Sequence, residues 1–145
     1  MSTDENTYLR WGRRYVDVSV SVANSSSPSG FVAVQNAAYG VENSLKAVLT
    51  MGHVSWEYGQ RGHDFTYLVG LIESNSLAPK ADCDYLLASA NAVCLSGTNA
   101  QSFRYPQDDP LFFENLSKVD LQGRTGKAVN VYDKCYSIVT SGYSS

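Results

Sequence analysis

The stretch from Val32 to Met51 constrains the fold more than any other part of the chain. Val34, Ala38, Val41, Leu45 and Val48 recur at intervals of three and four, the spacing that lines up one face of an α-helix. Ala33, Ala37, Gly40, Ser44 and Ala47 flank this stripe with small side chains, so a second helix can approach closely. A polar elbow follows, running Gly52-His53 and then Gln60-Arg61-Gly62-His63-Asp64, and it holds both histidines of the protein. A second apolar run, Phe65 to Leu77, begins at once. The layout is a helix hairpin, and it predicts an all-α fold: a four- to five-helix antiparallel bundle.

The rest of the chain supplies further helices of unequal clarity. Tyr8, Trp11, Tyr15, Val18 and Val22 fall on one helical face, while Val16, Val18, Val20 and Val22 also alternate as a half-buried strand would. The residues alone leave both readings open. The run Ser25-Ser26-Ser27-Pro28-Ser29-Gly30 is a break, with Ser27 before Pro28 as the expected cap of the next helix. Glu42 and Lys46 form a favourable i,i+4 pair, that helix should end at Gly52, and Asp64 suits the positive end of the third. Pro79 opens a fourth helix with Cys83, Leu86, Leu87, Ala90, Val93 and Cys94 inward. Ser96 to Asp109 is too rich in polar and turn-forming residues for a regular element, and Pro106 and Pro110 punctuate it. A last helix is expected over Gly123 to Val139, with Ala128, Val131, Tyr132, Cys135, Ile138 and Val139 inward. No repeat or linker divides residues 1–145, which read as a single domain with an ordered core over about 8–139.

Composition narrows the classes of function. A chain of 145 residues can bury roughly 70% of its unfolded surface as one domain. Only 17% of residues are charged and the formal net charge is −3, which argues against a strongly basic nucleic-acid footprint. A surface so lightly charged is permissive for self-association, because little long-range repulsion opposes it. Asp4 and Glu5 stand where a leader would be apolar, and polar residues interrupt every apolar run, so no membrane span is expected. Three cysteines, Cys83, Cys94 and Cys135, are an odd set and read as reduced thiols in a cytoplasmic protein.

Few residues suggest chemistry. Arg61 and His63 beside a helix start can bind phosphate, the arginine as a bidentate fork and the backbone amides as donors, and an imidazole can move protons. The competing reading has His63 bracing the elbow and Arg61 facing water. Cys83 and Cys94 lie eleven residues apart, three helical turns or roughly 16 Å, so they cannot grip one ion; no metal site and no cofactor are expected. Arg10-Trp11-Gly12-Arg13-Arg14 is basic and aromatic, a pattern that suits a nucleic-acid backbone or simply a helix with Trp11 packed inward. Were the first and last helices to pack side by side, Lys118, Arg124, Lys127 and Lys134 would join it in a modest basic strip. Phosphate-loop, dinucleotide and serine-hydrolase signatures are absent.

Three short segments in order resemble the HEPN superfamily of small helical domains. Gln35 to Leu49, with its Glu42-Asn43-Ser44-Leu45-Lys46-Ala47-Val48-Leu49 run, is similar to that family's second helix. Gly62-His63-Asp64-Phe65 resembles the "GHDL"-like start of its third, and Arg104-Tyr105-Pro106 its "RYP" signature before the last. The resemblance covers roughly residues 8–139 and tips the Val16–Val22 stretch toward helix. It implies one of three roles: a metal-independent ribonuclease with an Arg-x4-6-His motif, the partner of a small nucleotidyltransferase, or a nucleotide-binding or structural module. Arg124 lies in the element that would carry the nuclease motif, but no histidine follows His63, so no catalytic residue is assigned. The expectation is a non-catalytic HEPN-like module, a homodimer, that binds a partner protein and nucleotide or RNA phosphates, through Arg61, His63, Arg104, Tyr105 and Arg124. The alternatives are an atypical ribonuclease of toxin type and a purely structural or assembly protein.

Overall fold

Asp4 starts the first helix by accepting from the Thr7 amide at 2.8 Å, which satisfies one of the orphan donors of a helix N-terminus. The computed structural model describes residues 4–94 and 111–141. Five helices of ten or more residues account for most of them: α1 (Glu5–Ala23), α2 (Gly30–Met51), α3 (Phe65–Ser74), α4 (Lys80–Val93) and α5 (Lys118–Ser141). A 3-10 turn, Gln60–His63, precedes α3, and a single helical turn, Leu111–Glu114, precedes α5. No strand occurs among the described residues, so the open choice at Val16–Val22 resolves to helix.

Helix α2 is the central element. α1 lies along it in antiparallel fashion, α5 packs on both, and α3 and α4 close the remaining sides. Val34, Val41, Leu45 and Val48 of α2 are fully buried with Leu68 and Ile72 of α3, Leu86 and Val93 of α4, and Leu121 and Val131 of α5. The α1–α2 contact is close because it is built from small residues. A Cβ on Gly40 would lie 2.5 Å from a Val16 methyl, and one on Gly12 would lie 2.8 Å from Ser44 Oγ.

This geometry corrects the expected face of α1. The buried residues are Leu9, Gly12, Val16, Ser19 and Ala23, not the Tyr8–Trp11–Tyr15–Val18–Val22 stripe. Trp11 does not pack inward: it is 47% exposed. Close helix approach selects the small side chains, and the bulky stripe is displaced toward solvent along the seam.

The helix ends also follow local chemistry. α2 is capped by Ser29, whose Oγ accepts from Val32 N at 3.3 Å, and not by Ser27. Glu114 reinforces that end from across the chain, accepting from Ser29 Oγ at 2.7 Å and from the amides of Gly30 and Phe31 at 3.2 Å each. The C-terminus of α2 closes as a Schellman motif, with Val54 N bonding to Leu49 O and His53 N to Thr50 O, after Gly52 as expected. α3 ends the same way: Leu77 N bonds to Ile72 O and Ser76 N to Glu73 O. α5 starts at Lys118, ahead of Gly123, because Ser117 Oγ accepts from Asp120 N at 3.1 Å and Leu121 is buried. Among the described residues, no helix is long and apolar enough to cross a membrane.

Candidate functional site

The elbow between α2 and α3 is where the sequence concentrates polar groups. Asp64 caps α3 by accepting from the amides of Thr66 and Tyr67 at 2.9 and 3.3 Å, so the residue before it, His63, is held over the flank of α2. Its Nδ1 lies 2.6 Å from Oε1 of Glu42. The other carboxylate oxygen, Oε2, accepts from Lys46 Nζ at 2.8 Å. The three side chains are 14%, 8% and 12% exposed for His63, Glu42 and Lys46, so this is a largely desolvated cluster. The buried carboxylate is held by a cation on one oxygen and an imidazole N–H on the other, as a buried charge requires.

Aromatic residues seal the cluster. The Lys46 ammonium sits over the Trp56 ring at 5.4 Å, and Tyr8 of α1 meets Trp56 edge-on at 5.7 Å. Burial pushes the Tyr8 phenol above its ordinary range, and the Tyr58 and Glu42 charges push the same way. Imidazole Nε2 makes no hydrogen bond among the described residues, so any proton traffic through His63 would pass there.

Arg61 is adjacent in sequence to this cluster but belongs to a different set of contacts. Its guanidinium pairs with Glu57 at 3.3 Å, both side chains being well exposed, and lies 4.5 Å from the Tyr67 ring centroid. The Tyr67 hydroxyl in turn accepts from Glu57 N at 3.0 Å. Thus Arg61 faces water and His63 faces Glu42, and the two share no partner.

The other residues expected at a ligand site are distributed elsewhere. Arg124 donates to the Val93 carbonyl at 3.1 Å, fastening α5 to the end of α4. Two residues earlier, Gln122 bonds to Asn24 just past the C-terminus of α1, whereas the elbow meets α1 at Tyr8. Most of the length of α1, about 24 Å from Tyr8 to Asn24, separates them. Arg104 and Tyr105 lie outside the described residues, as does the whole segment Ser96 to Asp109.

Two cations of the basic strip are engaged in internal pairs. α1 and α5 do pack together, yet Arg13 faces Asp17 at 3.6 Å and Lys134 pairs with Asp82 at 3.3 Å. No group of three or more His, Cys, Asp or Glu residues suited to a metal occurs among the described residues. All three cysteines are buried. Burial raises the Cys83 thiol, with the Glu73, Asp82 and Asp84 charges adding to it, and burial alone raises that of Cys135. Neither is poised as a nucleophile.

In the sequence Glu42 and Lys46 stand out only as a favourable i,i+4 pair, with nothing to connect them to His63. One signal was available: Glu42 stands directly beside Val41 and between Ala38 and Leu45, at the edge of the inward stripe, where a carboxylate needs a partner. No protein-family model, no curated protein and no solved structure matches this chain.

Proposed function

We propose that this chain is a non-catalytic HEPN-like module that acts by binding a partner protein. The observation that supports it best is the commitment of His63: the only histidine in a helix-start motif spends Nδ1 on a buried carboxylate whose second oxygen Lys46 occupies. Cleaving RNA needs a proton-transfer group and a cation converging on one phosphate. Here Arg61 is turned to Glu57 and Tyr67, and Arg124 to Val93. The imidazole therefore joins α2 to the elbow, and function rests on surfaces. The partner expected from the resemblance is a small nucleotidyltransferase, together with a second copy of the chain in a homodimer.

The test is a metal-free RNA cleavage assay on the wild-type protein and His63→Ala. No cleavage by either supports the reading. Cleavage by the wild type that disappears in the variant would establish the atypical ribonuclease instead. A second reading draws on the exposure of Arg61: the elbow takes a nucleotide or RNA phosphate through that guanidinium. Calorimetric titration with ATP and a short RNA checks it, with Arg61→Ala expected to abolish any heat of binding. Light scattering after size exclusion tests the homodimer.

A further inference from the structure

Helix α1 meets both α2 and α5, and still leaves part of its apolar surface open. Its small residues pack inward on α2. Roughly 100° around the helix, Tyr8, Trp11, Tyr15, Val18 and Val22 form a second stripe along the α1–α2 seam. Trp11 and Val18 are 47% and 45% exposed at its centre, and Val32 of α2, 38% exposed, extends it. The rings are ordered against one another: Trp11 and Tyr15 at 6.2 Å, Tyr15 and half-buried Tyr39 of α2 at 5.5 Å. Exposed apolar residues scattered singly need no explanation, but a stripe that follows a helix seam does.

The polar residues beside this stripe are unusually cheap to cover. Asn36 and Asn43 each turn an amide N–H back to the carbonyl four residues earlier, Val32 O and Tyr39 O, at 2.8 Å, which leaves less to desolvate on docking. Lys46, further along α2, is neutralised inward by Glu42.

Two arginines border the stripe on α1. Arg14 stacks on Trp11 at 5.5 Å, and Arg10 donates to the Thr7 hydroxyl at 3.5 Å and is near enough to Asp4 to help lower its carboxyl. Neither arginine forms an ion pair among the described residues. Asp17, the acid on the outer side of α1, already faces Arg13.

We propose that the α1–α2 face docks an acidic amphipathic helix of a partner protein. Its aliphatic side would cover Trp11, Tyr15, Val18 and Val32, and its carboxylates would meet Arg10 and Arg14. The shallow groove between two packed helices accepts the ridge of a third, and knobs at three- and four-residue spacing match the stripe. Trp11 to Val22 spans about 17 Å, three turns of such a helix. The acid is selected by charge complementarity with Arg10 and Arg14, which form no ion pair among the described residues. A second copy docking through the same face would set the same two arginines against each other, a like-charge contact. A single-stranded RNA needs a track of cations along its backbone, and two arginines at one end of the face, one of them stacked on Trp11, do not make one. The inference rests on the partner-binding reading and assigns it a surface; a dimer formed elsewhere on the bundle does not bear on it.

The test uses the full chain and a fluorescein-labelled amphipathic peptide of about eighteen residues, with leucines on one helical face and glutamates elsewhere. Fluorescence anisotropy should show saturable binding. Val18→Asp, at an exposed position, and the double variant Arg10→Glu/Arg14→Glu should each weaken it about tenfold or more. The double variant should instead bind the same peptide with lysines for glutamates. Circular dichroism melts confirm that the variants fold. Absence of peptide binding, or binding indifferent to all three substitutions, overturns the proposal. So does competition by an oligouridylate that Arg10→Glu/Arg14→Glu abolishes, which would assign the face to RNA, or a dimer that Val18→Asp dissociates, which would assign it to a second copy. RNA cleavage lost in His63→Ala would defeat the non-catalytic reading without altering the peptide titration, so the two failures are distinguishable.

Discussion

His63 Nδ1 lies 2.6 Å from Glu42 Oε1 across 21 residues of sequence, and this bond joins the elbow to the central helix. Glu42 is the hub, because Lys46 depends on it as well. Glu42→Gln should therefore cost more than His63→Ala. The first leaves a mostly buried ammonium without its counter-charge, worth about 3 kcal/mol. The second leaves the Glu42–Lys46 pair intact and removes one charge-assisted bond and some packing, about 1–2 kcal/mol. Urea titrations of both variants check the order, and equal losses would show that the histidine, not the carboxylate, organises the cluster.

Glu114 supplies a pH-dependent contribution at the start of α2. The Ser29 hydroxyl is the main influence holding its carboxyl below the ordinary range; slight burial opposes it, and the Phe31 and Gly30 amides add to the lowering. A carboxyl whose folded pKa lies below its unfolded value contributes stability above the unfolded pKa and loses it as pH falls through the folded one. The unfolded value is about 4.3. Glu114→Gln should thus cost about 1 kcal/mol near neutrality, as the loss of an exposed cap. The difference from wild type should shrink once the pH falls below the unfolded value. Urea midpoints measured from pH 7 downward test this, and a gap that persists at the lowest pH would contradict it.

The α1–α2 crossing makes a sharper prediction about packing. Gly40→Ala improves helix propensity by about 1 kcal/mol. The added methyl would nevertheless lie 2.5 Å from a Val16 methyl and 3.1 Å from the Val16 backbone nitrogen. A β-branched side chain on the facing helix has little room to turn away, so the helices must separate. Net destabilisation of about 1–3 kcal/mol is expected, with Gly40→Ala/Val16→Ala recovering part of it. A thermal melt in which Gly40→Ala is the more stable protein would refute the close contact.

The same crossing explains what the sequence made legible and what it did not. The α2 stripe could be read because nearly every residue on it is buried, so period and burial agree. On α1 the two disagree: the largest apolar residues mark the outer stripe, while Gly12 and Ser19 sit inside, and reading hydrophobicity as depth selects the wrong face. The start of α5 was missed because Gly123 and Gly126 weaken local propensity, whereas the Ser117 cap and the burial of Leu121 extend the helix backward. The site was half legible. The helix-start motif at Gly62-His63-Asp64 located the elbow, but the partner of His63 lies on another element, and no local pattern pairs residues 21 apart.

Two helices end in a conformation that their residues do not favour, and this allows a stabilising substitution. Ser76 and His53 hold φ of 55° and 56° at the C′ positions of α3 and α2, where glycine is the usual occupant. The left-handed region costs a residue with a Cβ roughly 1–2 kcal/mol. Glycine avoids that cost but gains freedom in the unfolded chain, which returns about 0.4–1 kcal/mol. Ser76→Gly should therefore raise stability by about 0.5–1 kcal/mol. It is the cleaner test of the two, since His53 adjoins the elbow and Ser76 is exposed on a connection that bears no part of the Glu42 cluster. Ser76→Ala, which keeps the Cβ and removes only the hydroxyl, should leave the urea midpoint close to wild type. A glycine variant no more stable than the alanine variant would mean that the turn relaxes in solution out of the left-handed conformation, and with it the Leu77–Ile72 bond that closes α3.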